Sequence, residues 1–260
     1  MLHKRLLTAI VGIPIVGICL YKGGFALQAL IFAAVLVGLI EFARLVGPNA
    51  KHDYLFVAGL SFVLLSYGKL NTTNLMIWLF VQVLYFLIRT TFSTQKPFAA
   101  AENILGVLYV AVPFSFIWLL RSEYGFGWIV YGLLVTWATD TAAYFGGRKF
   151  GRRKLAPTIS PNKSVEGALW GGAAGTVLGG FYALWLGQPL LAAFVMSLVL
   201  SAAGQVGDLC ESALKREKSV KDTGSILPGH GGILDRVDSL AFVLPLLYIF
   251  LTAMNTPSGL

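Results

Sequence analysis

The sequence predicts an all-α fold: a polytopic integral membrane helical bundle of about nine transmembrane helices, with two cytoplasmic polar loops forming a site. Three observations predict it. Of the 260 residues, 57% are hydrophobic and only 12% are charged, against about 25% charged in soluble domains. Apolar runs near the roughly 20 residues that a spanning helix needs recur along the whole chain, and the mean hydropathy is +0.75. The basic residues fall on alternate connections between those runs, as the positive-inside rule requires.

The elements follow in chain order. Residues 1–22, MLHKRLLTAIVGIPIVGICLYK, place basic residues before an apolar core, as a signal peptide does. No small-residue cleavage site follows and further spans come after, so they read as a retained first helix. Spans are expected near 6–21, 25–43, 54–68, 74–88, 104–120, 126–146, 168–186, 189–206 and 239–254. With this count, the N-terminus and every second connection hold 17 of the 20 lysines and arginines; the other side keeps Lys22, Lys69 and Arg121. That bias predicts a cytoplasmic N-terminus and an outside C-terminus. The net charge of +8 is then a membrane-face signal, and no nucleic-acid partner is expected. Cys19 and Cys210 match neither a metal spacing nor a disulfide framework and read as free thiols.

The chain reads as a single membrane domain with two parts. Residues 1–125 offer little chemistry, with Glu41, Asp53 and Glu102 at or near span ends, and are expected to be scaffold. Residues 126–260 carry the catalytic helices and nearly everything polar, in 147–167 (GRKFGRRKLAPTISPNKSVEG) and 207–238 (GDLCESALKREKSVKDTGSILPGHGGILDRVD).

Asp140 lies inside the sixth span, where an ionisable residue is costly and marks function by default; the bland alternative is an ion pair to Arg148 or Lys149. Asp208 is followed by Glu211, Ser212 and Lys215 at +3, +4 and +7, a spacing that stacks all four on one helical face. A plain salt bridge from Glu211 to Lys215 would explain that pair but not Asp208. Asp235 and Asp238 share a face at the start of the last span, where either could simply serve the helix N-terminus. Arg236 between them and PGHGG just before argue for more. Pro228, Gly229, Gly231 and Gly232 make a loop whose backbone N–H groups can approach an anion. Carboxylates suit Mg²⁺, which pairs one or two of them with substrate phosphates. Lys163, Lys215, Arg216, Lys221 and Arg236 are phosphate-seeking cations. Together these point to phosphoryl or nucleotidyl transfer. No GxxxxGK[ST] stretch occurs, which removes a P-loop NTPase.

Gly167, Gly171, Gly175 and Gly179 recur every fourth residue. This small-xxx-small face predicts close helix packing inside the chain, with a homodimer face or an acyl-chain groove as alternatives.

The segment from Ser212 to Asp238 resembles the signature of the phosphatidate cytidylyltransferases (CDP-diacylglycerol synthases), bacterial type. The matching residues are Ser212, Lys215, Arg216, Lys221, Asp222, Gly224, Leu227, Pro228, His230, Gly231, Gly232, Asp235, Arg236 and Asp238, with no departure. DTAAYFGGRKFG from Asp140 and SPNKSVEG from Ser160 look like further shared blocks, so the resemblance covers about 100 residues. It implies that CTP and phosphatidate give CDP-diacylglycerol and pyrophosphate, with Mg²⁺ and a possible monovalent cation such as K⁺, in the bacterial inner membrane. The implied catalytic set is Asp208, Lys221, Asp222, Asp235, Arg236 and Asp238. Of these, Asp208, Asp235 and Asp238 are the expected metal ligands. Substrate binding is assigned to Asp140, Ser160, Asn162, Lys163, Ser212, Lys215, Arg216, His230, Gly231 and Gly232. Two rival readings are a CTP-dependent lipid kinase, which would need a clear base for a hydroxyl, and a small secondary transporter built around Asp140.

Overall fold

The computed structural model describes residues 2–46, 53–68, 72–92, 104–224, 226 and 231–254. Among them the chain is helical almost throughout: α1 (Leu2–Lys22), α2 (Gly24–Val46), α3 (Asp53–Tyr67), α4 (Thr72–Thr91), α5 (104–123), α6 (Phe126–Phe150), α7 (Val165–Trp185), α8 (Leu190–Glu217), the short α9 (Leu234–Val237) and α10 (Leu240–Ala253). Each expected span overlaps one of these helices. Three of them, Gly24–Leu45, Ile104–Glu123 and Leu190–Glu217, are long and apolar enough to cross a membrane. Shorter apolar helices occupy Ile10–Lys22, Leu55–Tyr67, Thr73–Tyr85 and Leu240–Ala253. This is the make-up of a membrane protein.

Helix limits follow local chemistry. Gly125 (φ 91°) and Gly187 (φ 88°) take left-handed backbone between α5 and α6 and between α7 and α8, where a side chain would be strained. Within α5, a wide π turn at Val107–Ala111 comes just before Pro113, whose ring nitrogen has no hydrogen to give the carbonyl one turn back. Ser164 caps α7 by accepting the Gly167 N–H at 3.1 Å, a usual N-cap bond.

Two differences from the expected secondary structure matter for the site. The stretch 147–167 is not simply a loop. Helix α6 runs on to Phe150, and β1 (Lys154–Ala156) pairs antiparallel with β2 (Ser160–Ser164), Lys154 opposite Ser164 and Ala156 opposite Ser160. The hairpin is tied to α7 through Glu166, which accepts the Arg152 N–H at 2.9 Å and the Arg153 N–H at 3.2 Å. Those bonds, the Arg152 N–H first, hold the Glu166 carboxyl below its ordinary range. In addition, α8 continues well past the expected end at residue 206, so Asp208, Glu211, Ser212 and Lys215 stand on a helix rather than in a loop.

The chain divides into two compact units, Met1–Leu119 with Asp222–Leu234, and Leu120–Lys221 with Asp235–Leu260. In the first, Leu27, Ile31, Val35 and Leu39 form a buried i,i+4 stripe on α2, and Val63, Val110 and Ala111 are also buried. In the second, α7 lies against both α6 and α8. The glycine stripe is the reason. Gly167, Gly171, Gly175 and Gly179 are all buried. A Cβ on Gly171 would stand 2.8 Å from the Thr139 carbonyl, and one on Gly179 would stand 2.5 Å from Val135 and 2.9 Å from the Ser197 hydroxyl. The stripe is therefore used for packing within the chain. Polar rungs cross the same layer: Tyr131 to Ser197 at 2.8 Å and Thr139 to Ser201 at 2.6 Å.

Candidate active site

One cavity of about 710 Å³ lies within the second unit. Helix α6 supplies much of its wall, with Thr136, Trp137, Asp140, Ala143, Tyr144, Gly147 and Arg148. Thr136, Asp140, Ala143 and Gly147, and Trp137, Asp140, Tyr144 and Arg148, fall three or four apart, which is one helical face. The hairpin adds Leu155, Asn162, Lys163 and Ser164; α8 adds Gln205 and Asp208; the start of the last helical segment adds Asp235, Arg236, Asp238 and Ser239. Four carboxylates and three cations thus share one space.

The charges are arranged in pairs. Lys163 Nζ lies 2.6 Å from Asp208 Oδ2, both side chains about 30% exposed (28% and 31%). Ser212 donates to Asp208 Oδ1 at 3.4 Å from the next turn of α8. Lys215 is deeper, its side chain 14% exposed, and donates to Glu211 Oε2 at 3.0 Å and to Asp235 Oδ1 at 2.8 Å. It therefore joins α8 to Asp235 across 20 residues. Asp238 Oδ1 accepts the Ser239 N–H at 2.8 Å. Burial, and then the negative charge of Asp208, hold the Asp238 carboxyl above its ordinary range.

The remaining expected residues are placed differently. Arg216 donates from Nε to the Ile159 carbonyl at 3.2 Å and so props the hairpin turn. Ser160 lies in β2 and, like Ser212, Lys215 and Arg216, does not line the cavity. Lys221 and Asp222 are exposed and line no part of it. No ion pair joins Asp140 to Arg148 or Lys149 among the described residues; Lys149 instead sits over the Phe150 ring, 5.3 Å from its centre. His230 falls outside the described residues.

Gly231 and Gly232 belong to a second cluster, inside the first unit. Gly231 has φ 84°. Beyond it, the Ile233 N–H donates to Glu41 Oε1 at 3.0 Å and the Leu234 N–H to Glu41 Oε2 at 3.1 Å. The Thr223 hydroxyl gives Oε2 a third bond at 3.3 Å. The anion that meets this glycine-rich backbone is thus a side chain of the protein itself. Glu41 was the residue the sequence hid most completely. Thr136, Tyr144 and Gln205 were missed as well, although their helical spacing from Asp140 and Asp208 would have found them.

A metal ion can be tested against these donors. No group of three or more His, Cys, Asp or Glu side chains among the described residues is gathered so as to hold an ion. Lysine ammonium groups lie against Asp208 and Asp235. The carboxylate oxygens are nevertheless the donors a hard divalent ion takes, and Mg²⁺ commonly uses only one or two with substrate phosphates completing the shell. The residues fit such an ion together with a bound phosphate.

The arrangement can neutralise a polyanion with Lys163, Arg148 and Arg236 while the carboxylates handle a cation, which is the requirement of phosphate-group transfer. Comparison with known proteins agrees. The model of the cytidylyltransferase family matches residues 3–254. The phosphatidate cytidylyltransferase of Bacillus subtilis (strain 168) is 46% identical over 155 residues, 58% of each chain. Those of Staphylococcus aureus (strain COL) and Staphylococcus saprophyticus are 38% and 35% identical, covering 95% of this chain and 98% of theirs. The chain belongs to the cytidylyltransferase family.

Proposed function

We propose that this enzyme makes CDP-diacylglycerol and pyrophosphate from CTP and phosphatidate. The observation that carries the reading is the cavity where Asp140, Asp208, Asp235 and Asp238 face Lys163, Arg148 and Arg236, in a helical chain of this family. The lipid phosphate monoester, with a second pKa of about 6, is already a dianion at neutral pH. One of its oxygens attacks the α-phosphorus of CTP, the new P–O bond forms as the bond to the bridging oxygen breaks, and pyrophosphate leaves with that electron pair. No general base is required, so the acidic residues serve better as cation ligands. Asp208 and Asp235, with Asp238 in support, would hold Mg²⁺, which when bound supplies positive charge beside the phosphates; a monovalent cation such as K⁺ belongs to the same reading. Lys163, Arg148 and Arg236 clamp the nucleotide phosphates and stabilise charge on the departing pyrophosphate. Lys215 orients Asp235, and Ser212 orients Asp208. Lys221 and Asp222 belong to the catalytic set, and His230 to the substrate-binding set, on the resemblance.

The same reading places the chain in a bacterial inner membrane with about nine spans, a cytoplasmic N-terminus, an outside C-terminus and the cavity at the cytoplasmic face. The support is the lopsided distribution of lysine and arginine. Purified protein in detergent, given labelled CTP, phosphatidate and Mg²⁺, should form a CDP-lipid. Release of CDP with phosphorylation of a lipid alcohol would make it a kinase, and absence of any turnover would overturn the assignment. A thiol-reactive probe on cysteines placed singly at residues 5 and 122 of intact cells tests the orientation; labelling of the first from outside would reverse it.

A further inference from the structure

Glu41 stands in a long apolar helix, 0% exposed, where an uncompensated carboxylate would cost several kcal/mol. Its compensation is unusually specific. Both oxygens accept backbone N–H groups, from Ile233 and Leu234, and Oε2 takes the Thr223 hydroxyl as well. The partners lie at the two ends of the segment 223–234, so one carboxylate clamps both. Packing around it is tight enough to exclude a methyl group. A Cβ on Gly224 would come 2.5 Å from Glu41 Oε1, and a Cβ on Gly232 would come 2.5 Å from Oε2 and closer still to the Thr223 hydroxyl. Leu234 is also the first residue of α9, and the next residue in the chain is Asp235. The N–H groups that Glu41 receives are therefore those a helix start leaves without partners, and the bonds hold the backbone at Ile233 and Leu234.

We propose that Glu41 is a positioning residue for the transfer reaction: it sets the register of the segment that leads into Asp235, Arg236 and Asp238, although it touches no substrate. The inference rests on the cavity reading given above. It accounts for a charge in a part of the chain that otherwise serves as scaffold, and for two glycines that have nothing to do with turn geometry alone. A purely structural clamp would affect only folding. A positioning clamp also affects how the carboxylates beyond Leu234 meet a cation.

Glu41→Gln is the sharpest probe, because the amide keeps the shape but turns an N–H₂ towards a backbone N–H. Thr223→Val removes only the hydroxyl arm. In detergent, Glu41→Gln should lower kcat about tenfold and weaken Mn²⁺ binding, read by electron paramagnetic resonance without substrate, by a similar factor, the range typical of lost support to ligating side chains. KM for CTP should rise by less than kcat falls, because Lys163 and Arg148 stay in place while only Arg236 follows the displaced segment, and Thr223→Val should lie between Glu41→Gln and the wild type. Unchanged kcat and Mn²⁺ affinity in Glu41→Gln overturn the proposal. So does a loss of activity matched by the fraction unfolded in a thermal melt, with normal Mn²⁺ binding by the folded remainder. A wild type that forms no CDP-lipid overturns the function instead, and the Mn²⁺ comparison still decides the role of Glu41.

Discussion

Two carboxylates in this molecule are anchored in opposite ways. Glu41 is wholly buried and satisfied by two backbone N–H groups and a hydroxyl. Asp208 is nearly a third exposed and satisfied by Lys163, itself partly exposed on a flexible stem, and by a long bond from Ser212. Backbone donors cannot leave without unfolding local structure, whereas a lysine can swing from a carboxylate to an arriving phosphate. The difference separates an acid that holds the protein together from an acid that is free to trade partners. Lys215, between Glu211 and Asp235, sits nearer the first type.

The largest expected effect is on turnover. Asp208→Ala and Asp235→Ala should each reduce kcat by about 10²–10³-fold at saturating Mg²⁺, the scale of losing a principal electrostatic contact. Asp208→Ala should leave the melting temperature almost unchanged, since an exposed pair contributes under about 1 kcal/mol. A large drop in its melting temperature would erase the contrast with Glu41. Lys215→Met should instead cost stability, about 3 kcal/mol by denaturant titration, because it removes the cation that two buried carboxylates share; a loss of activity with normal stability would move Lys215 to the exchanging type. Gly171→Leu should destabilise by about 1–3 kcal/mol through overpacking against Thr139 and Ala143, with no change in oligomeric state on a sizing column. The smallest effect is at Glu166. Its folded pKa is depressed, so its contribution is present above the ordinary carboxylate pKa and is lost as pH falls through the folded value. Amide exchange protection at Arg152 and Arg153 should therefore fall on acidification from pH 6 to pH 3, and Glu166→Gln should abolish that dependence.

Much of the fold was legible because apolar runs and basic connections are local signals. The places of the long helices, the face shared by Asp208, Ser212 and Lys215, and the glycine stripe all come from spacing along a few turns. The hairpin was not legible: KLAPTISPNKS lacks the alternating apolar pattern that marks strands, and its strands are held by Glu166 and Arg216 from outside. Glu41 was hidden for a related reason. Its partners are backbone N–H groups, which every residue but proline carries, and the bond to Ile233 spans 192 positions. No residue type announces a main-chain donor. For the cavity, the sequence named every charged member but Arg148, which read only as a bland partner for Asp140, and it missed the wall of α6, because Thr136, Trp137 and Tyr144 read as ordinary parts of a span.

The glycine layer has one more consequence. Asp140 and Asp208 stand on α6 and α8, and between the aromatic contacts of α7 with these helices lies a row of residues that have no side chain. A spacer made of leucines would breathe, since each has several rotamers to sample. Glycine has none, so at these positions the main chain of α7 meets the short side chains of Val135, Thr139, Ser197 and Ser201 directly. The interval between the two acids behaves like a machined gauge: it is defined by missing atoms, and any atom added there changes the dimension.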